Sequence, residues 1–235
     1  MILETSALAD HGYRALAGVD LGADAASLYD GRPLSRAARA LAVAMHAHPR
    51  DALVLQGWPL RALTEAHLAA PPVGEAVGVP WRRLLTEVPA AVAAPESAAG
   101  AGPLRTRLPA LLSALWAPLG LEPPAVCVLD CRPLGARGRA VEVEGRLVIA
   151  TSLGEPGHHA LLQVFHEAAH PVTDAAVRAR LGAEDRARST RKGAPGFAAH
   201  QAYEAAAVAW GGAVLEEAAP DLLPEWAAWR TRWGI

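Results

Sequence analysis

At 235 residues with a formal charge of −2, the chain is long enough to bury a substantial core and gives no electrostatic reason to expect nucleic acid or an anionic membrane as partner. Its two cysteines, Cys127 and Cys131, are too few for a disulfide framework and lack the CxxC spacing of redox or zinc-ribbon sites, so they read as buried thiols. No apolar run approaches membrane-spanning length, and the amino terminus carries Glu4 with no basic start ahead of an apolar stretch, so a cytoplasmic protein without a signal peptide is expected.

Residues 1–95 read as a mostly helical amino-terminal region with no chemical constellation. Leu34, Ala37, Leu41 and Met45 recur near helical period and predict a helix over 35–48, which Pro49 ends. Shorter helices are predicted over 59–69 and 80–87. His46 and His48 diverge on a helix, which argues against a shared metal. Small residues over 96–103 predict a linker and a boundary near residue 100, with a second domain over 104–235. That domain begins with a predicted helix over 104–119, whose apolar side holds Leu108, Leu111, Leu112, Leu115 and Trp116, and a strand follows over Ala125–Asp130. Residues 139–152 alternate Val141 and Val143 against Glu142 and Glu144, turn at Glu144-Gly145 and continue through Leu147-Val148-Ile149, the pattern of a β-hairpin. From Pro156 the spacing of Leu161, Leu162, Val164, Phe165, Ala168 and Ala169 predicts an amphipathic helix, broken after Leu181-Gly182. An alanine-rich helix is predicted over 197–217. Trp226, Trp229 and Trp233 then form an aromatic stripe at helical spacing, read as core packing or as a surface for a protein partner. The order predicts an α+β fold, predominantly helical, with a small sheet beside the histidine-bearing helix.

That helix carries His166-Glu167-Ala168-Ala169-His170. Residues at i and i+4 share a helix face, so both imidazoles can point a ring nitrogen at one ion while Glu167 projects toward a metal-activated water. A catalytic zinc takes three protein ligands and keeps a fourth position for solvent, so a further ligand must come from downstream. Glu204, on the second predicted helix, is the choice; His200 is its main rival, with Glu184 and Asp185 weaker candidates. His200 and Tyr203 are candidate donors to a substrate oxyanion, and Asp174 is a candidate acceptor for the second nitrogen of a metal-bound imidazole. His158 and His159 read as surface residues at the helix start. A strand leading into such a helix offers backbone groups to an extended peptide.

The segment His166-Glu167-x-x-His170-x-Val172-Thr173-Asp174 resembles the active-site helix of thermolysin, the reference member of the gluzincin peptidases. The resemblance spans about nine residues and implies a zincin-like catalytic domain. It further implies one Zn2+ per chain held by His166, His170 and a glutamate from a later helix, assigned to Glu204, with Glu167 as general base. Three departures stand out. The gap from His170 to Glu204 is longer than in thermolysin. The position one turn after Glu204 is Val208, where the family has an aspartate that orients a zinc-bound histidine, and Pro171 removes a helical amide just after the second histidine. Tyr203-Glu204-Ala205-Ala206-Ala207 is also similar to the later helix of the short metallopeptidases of the antitoxin-cleaving and stress-regulator type.

The leading expectation is a cytoplasmic zinc metallopeptidase acting on a peptide or protein substrate, without nucleic acid or membrane as partner. A protein partner is expected, if anywhere, at the amino-terminal region or the tryptophan stripe. Two alternatives stand beside it: a metal-dependent modifying enzyme for a dedicated small peptide, and a non-catalytic regulatory or binding protein with a decayed HExxH helix.

Overall fold

The computed structural model describes residues 2–6, 35–55, 72–87, 92–93, 100–131, 134, 137–143, 145–155, 157–187, 193 and 196–234. The helix expected over 59–69 and the first half of the linker expected over 96–103 lie outside them. The fold is α+β and mostly helical, in two compact units: Met1–Ala101 with Pro124–Pro156, and Gly102–Pro123 with Gly157–Ile235. The units interleave along the chain, where the sequence had suggested a single boundary near residue 100. The reason lies in the sheet, which the opening residues join.

In the first unit, five strands, β1 (Ile2–Ser6), β2 (Val92–Ala93), β3 (Ala125–Asp130), β4 (Gly138–Val143) and β5 (Arg146–Thr151), form a mixed sheet in the order β2-β1-β3-β5-β4. β1, β3 and β5 run parallel, and the two edge strands pair antiparallel. Central strands covered on both faces read as unbroken apolar runs, as Val126-Cys127-Val128-Leu129 and Leu147-Val148-Ile149-Ala150 do. The β4–β5 turn is the predicted one, with Gly145 at φ 72°, a left-handed conformation that glycine adopts without a Cβ penalty. Both cysteines are buried thiols, and the Cys127 thiol is pushed up to about 12 by burial and by its hydrogen bond to, and the charge of, Glu4, so it is a poor nucleophile at neutral pH.

The same unit holds α1 (Arg36–Ala47), α2 (Pro49–Leu55) and α3 (Glu75–Glu87). Ser35 caps α1, its hydroxyl accepting from the amide of Ala38 at 3.1 Å. Leu41 and Met45 of α1 pack with Leu55 of α2 and with Val77, Trp81 and Leu84 of α3. Pro49 does more than end α1: after His48 it opens α2, at the first position where its missing N–H costs nothing. α3 begins five residues before the predicted 80–87, because the amides of Val77 and Gly78 already bond the Gly74 carbonyl while the Asp51 carboxylate accepts from the Gly74 amide.

The second unit is helical: α4 (Ala101–Trp116), α5 (His159–Leu181), α6 (Phe197–Ala218) and α7 (Leu223–Trp233). The small residues read as the end of the linker instead start α4, which buries Leu104, Leu108, Leu111, Leu112 and Leu115. The Leu115 carbonyl accepts from the Trp210 indole at 3.2 Å, tying α4 to α6. α5 runs unbroken through Pro171 and ends at Gly182, φ 56°. α5, α6 and α7 approach closely at Gly211, where an added Cβ would lie 3.2 Å from Phe165 and 3.3 Å from Trp226. Among the described residues, no helix is long and apolar enough to cross a membrane.

Candidate metal centre

α5 turns its apolar stripe inward, and that stripe fixes the rotation of the helix. Ala160 to Phe165, Ala168 and Ala169 are buried, and His166, on the same side, is 3% exposed. His170, one turn later, sits at the margin of the buried face. The two rings lie 4.9 Å apart, nearly perpendicular. α6 contributes Glu204 opposite them, with its carboxylate 3.1 Å from His166 Nε2 and 3.8 Å from His170 Nε2. One ligand atom from each of His166, His170 and Glu204 lies within 4.8 Å of the others. Around a tetrahedral zinc with N and O ligands, neighbouring donor atoms stand about 3.3 Å apart. The donor set and its spacing therefore suit a divalent ion after small side-chain adjustments.

His170 is aimed by Asp174, whose carboxylate accepts from Nδ1 at 3.0 Å and so turns Nε2 toward the cluster as the nitrogen that can offer a lone pair to an ion. Glu167 projects beside the pair without joining the ligand group. Its Oε1 accepts from the Gln163 amide at 3.0 Å, and Gln163 is buried. Gln163 was not singled out from the sequence, although it is the one polar side chain in the run Ala160 to Phe165 and stands one turn before Glu167.

His200 lies beside the cluster, 3.6 Å from Glu204, but is not among the three gathered ligands; nor are Glu184 and Asp185. Tyr203 is placed differently from its expected role. Its ring is buried and its hydroxyl donates to Asp185 at 2.5 Å, in the short 3-10 turn after α5. Successive helical residues point about 100° apart, so with Glu204 facing the histidines Tyr203 is turned aside. His158 is pinned to the first turn of α7, with Nδ1 2.7 Å from Glu225, and the His159 ring lies 6.4 Å from that of Trp233.

Without metal the cluster is a charge network. Burial disfavours the charged form of His170, but its hydrogen bond to Asp174 and the charges of Glu167, Glu204 and Asp174 outweigh it and raise its pKa to about 9. Burial likewise opposes ionisation of Glu204, and the His166 hydrogen bond with the charges of His170, His166 and His200 outweighs it, lowering the pKa to about 2. The His170 contribution to stability is complete below its ordinary value of 6.5 and is lost as pH rises through about 9; that of Glu204 is complete above 4.5 and is lost as pH falls through about 2. Chelator-treated protein is expected to draw most stability from this cluster between pH 4.5 and 6.5. Thermal melts against pH check this, and His170→Ala should flatten the decline on the alkaline side.

Comparisons with protein-family models, with curated proteins and with solved structures give no match to this chain.

Proposed function

We propose that the chain is a zinc-dependent metallopeptidase of zincin-like type, with His166, His170 and Glu204 as the metal ligands. The observation that carries the reading is the convergence of two imidazole nitrogens from α5 and one carboxylate from α6, with the second carboxylate of Glu167 alongside. Two neutral imidazoles and a glutamate form a three-ligand set that catalytic zinc uses. When bound, the ion supplies Lewis-acid polarisation of the scissile carbonyl and a more acidic water in its open position. Glu167 is the general base. With Oε1 engaged by Gln163, Oε2 is the atom that takes the proton from the attacking water and returns it to the leaving nitrogen. Asp174 keeps the proton on His170 Nδ1, which would leave Nε2 to hold the ion. His200, beside Glu204, is the donor placed to steady the oxygen that gains charge.

Zinc analysis of protein purified without chelator tests the reading first. About one ion per chain is expected, and His166→Ala or His170→Ala should each lose it. Zinc that survives both substitutions would remove the basis of the proposal.

A further inference from the structure

The two histidines of the cluster are held in different ways. His170 donates through Nδ1 to Asp174. His166 Nδ1 is buried and has no hydrogen-bond partner among the described residues. The side chain one turn after Glu204, Val208, is itself buried and has no acceptor to offer. A metal-binding imidazole with no acceptor on its second nitrogen loses the usual device that fixes its rotation, so something else must set the plane of the His166 ring.

Besides Glu204 and His170, what lies against that ring is aromatic. The Trp229 ring lies 4.9 Å from the His166 ring at 49°, and Trp226 lies 6.5 Å away at 48°. Trp226 and Trp229 stack on each other, 4.8 Å apart and 7° from parallel. Trp226 in turn meets Phe165 edge-on at 6.1 Å. Both tryptophans are nearly fully buried, and the Trp226 side of the stack reaches α6 because Gly211 has no side chain there. The stack packs against Phe165 and Gly211 on one side and faces the imidazole on the other. An aromatic face also favours the positive charge that an imidazole acquires on coordination.

We propose that Trp229, backed by Trp226, is the positioning residue that orients His166 for metal binding, in place of a hydrogen-bond acceptor. This rests on the reading of His166, His170 and Glu204 as metal ligands. It gives part of the carboxy-terminal tryptophan stripe a task at the site beyond filling a core. It also predicts an asymmetry: the hold on His170 is polar, and the hold on His166 is a matter of shape.

The test is the zinc dissociation constant of the full chain, measured by competition with a chromogenic chelator, in a double-mutant cycle. Trp229→Leu is expected to weaken zinc binding about tenfold or more, and Trp229→Phe, which keeps an aromatic face, to stay within about threefold of the unsubstituted chain. In a His166→Ala background, which loses the ion on purification but keeps His170 and Glu204 to bind added zinc weakly, Trp229→Leu should change that weak affinity no further. A general effect on the fold would instead weaken binding equally in both backgrounds, and that result, or unchanged affinity in Trp229→Leu, overturns the proposal. If Trp229→Leu does not fold, the unsubstituted chain labelled with 5-fluorotryptophan keeps the question open to measurement. Zinc should then shift the Trp229 fluorine resonance, assigned with Trp229→Phe, and no shift overturns the proposal. Absence of zinc binding by the unsubstituted chain would refute the metal centre itself, an outcome distinct from a centre that binds zinc and ignores Trp229.

Discussion

Glu167→Gln is expected to lower the rate of peptide hydrolysis by about 10²–10⁴-fold, the usual worth of a positioned general base, while leaving the zinc content unchanged. The separation follows from geometry, since Glu167 stands beside the histidine pair and outside the group of three converging ligands. The amide is nearly isosteric, and it still offers an oxygen to the Gln163 amide that now bonds Oε1, so the helix face should keep its shape. What disappears is the ability to accept a proton. Turnover of casein or of a fluorogenic peptide library by both proteins, with metal analysis of each, makes the measurement. A zinc-loaded Glu167→Gln protein as active as the unsubstituted one would leave the metal in a structural role and the base unassigned.

Phe165→Ala is expected to cost about 3–5 kcal/mol of stability, the range for truncating a fully buried phenylalanine. Phe165 has no exposed surface, meets Trp226 edge-on and faces Gly211 at a point of close helix approach, so the surroundings have little freedom to collapse into the space left behind. Because it precedes His166 on the buried side of α5, the loss should be partly recoverable. A ligand at about 100 times its dissociation constant adds about 2.7 kcal/mol to a folded state that alone binds it, so zinc should restore more than half of the smaller estimate. Denaturant unfolding with zinc and with chelator checks both figures. A loss below about 1 kcal/mol would mean that the α5–α6–α7 packing is looser than described.

Much of the site could be read in the sequence because it is local. His166, Glu167 and His170 are placed by helical spacing alone, and Asp174 lies one further turn along the same helix. Glu204 needed a second helix to cross the first, and the alanine-rich stretch around it indicated a helix without fixing its rotation. Tyr203 shows the cost of that gap: its neighbour faces the histidines, and the tyrosine hydroxyl goes instead to Asp185 in a turn with no recognisable pattern. Gln163 escaped notice because one polar residue in an apolar run carries no signal until its partner at i+4 is given a role. In the fold, the β4–β5 hairpin was legible from alternation and a turn glycine. The pairing of β1 with β3 was not: it joins Ile2 to Cys127, a contact across half the chain that no window of neighbouring residues reports.

Pro171 divides α5 without breaking it. Before the proline nearly every residue from Ala160 to Ala169 is buried; after it only Val177 is, and most of the remainder faces solvent. The leading stretch thus bears both the packing and the two imidazoles, and substitutions there pay in stability and chemistry together. The trailing stretch is tied to the cluster through Asp174 and to the core through Val177. Its exposed positions should accept wide sequence variation, so that in a mutational scan tolerance would change abruptly at the proline, with Asp174 and the buried Val177 as the intolerant points beyond it.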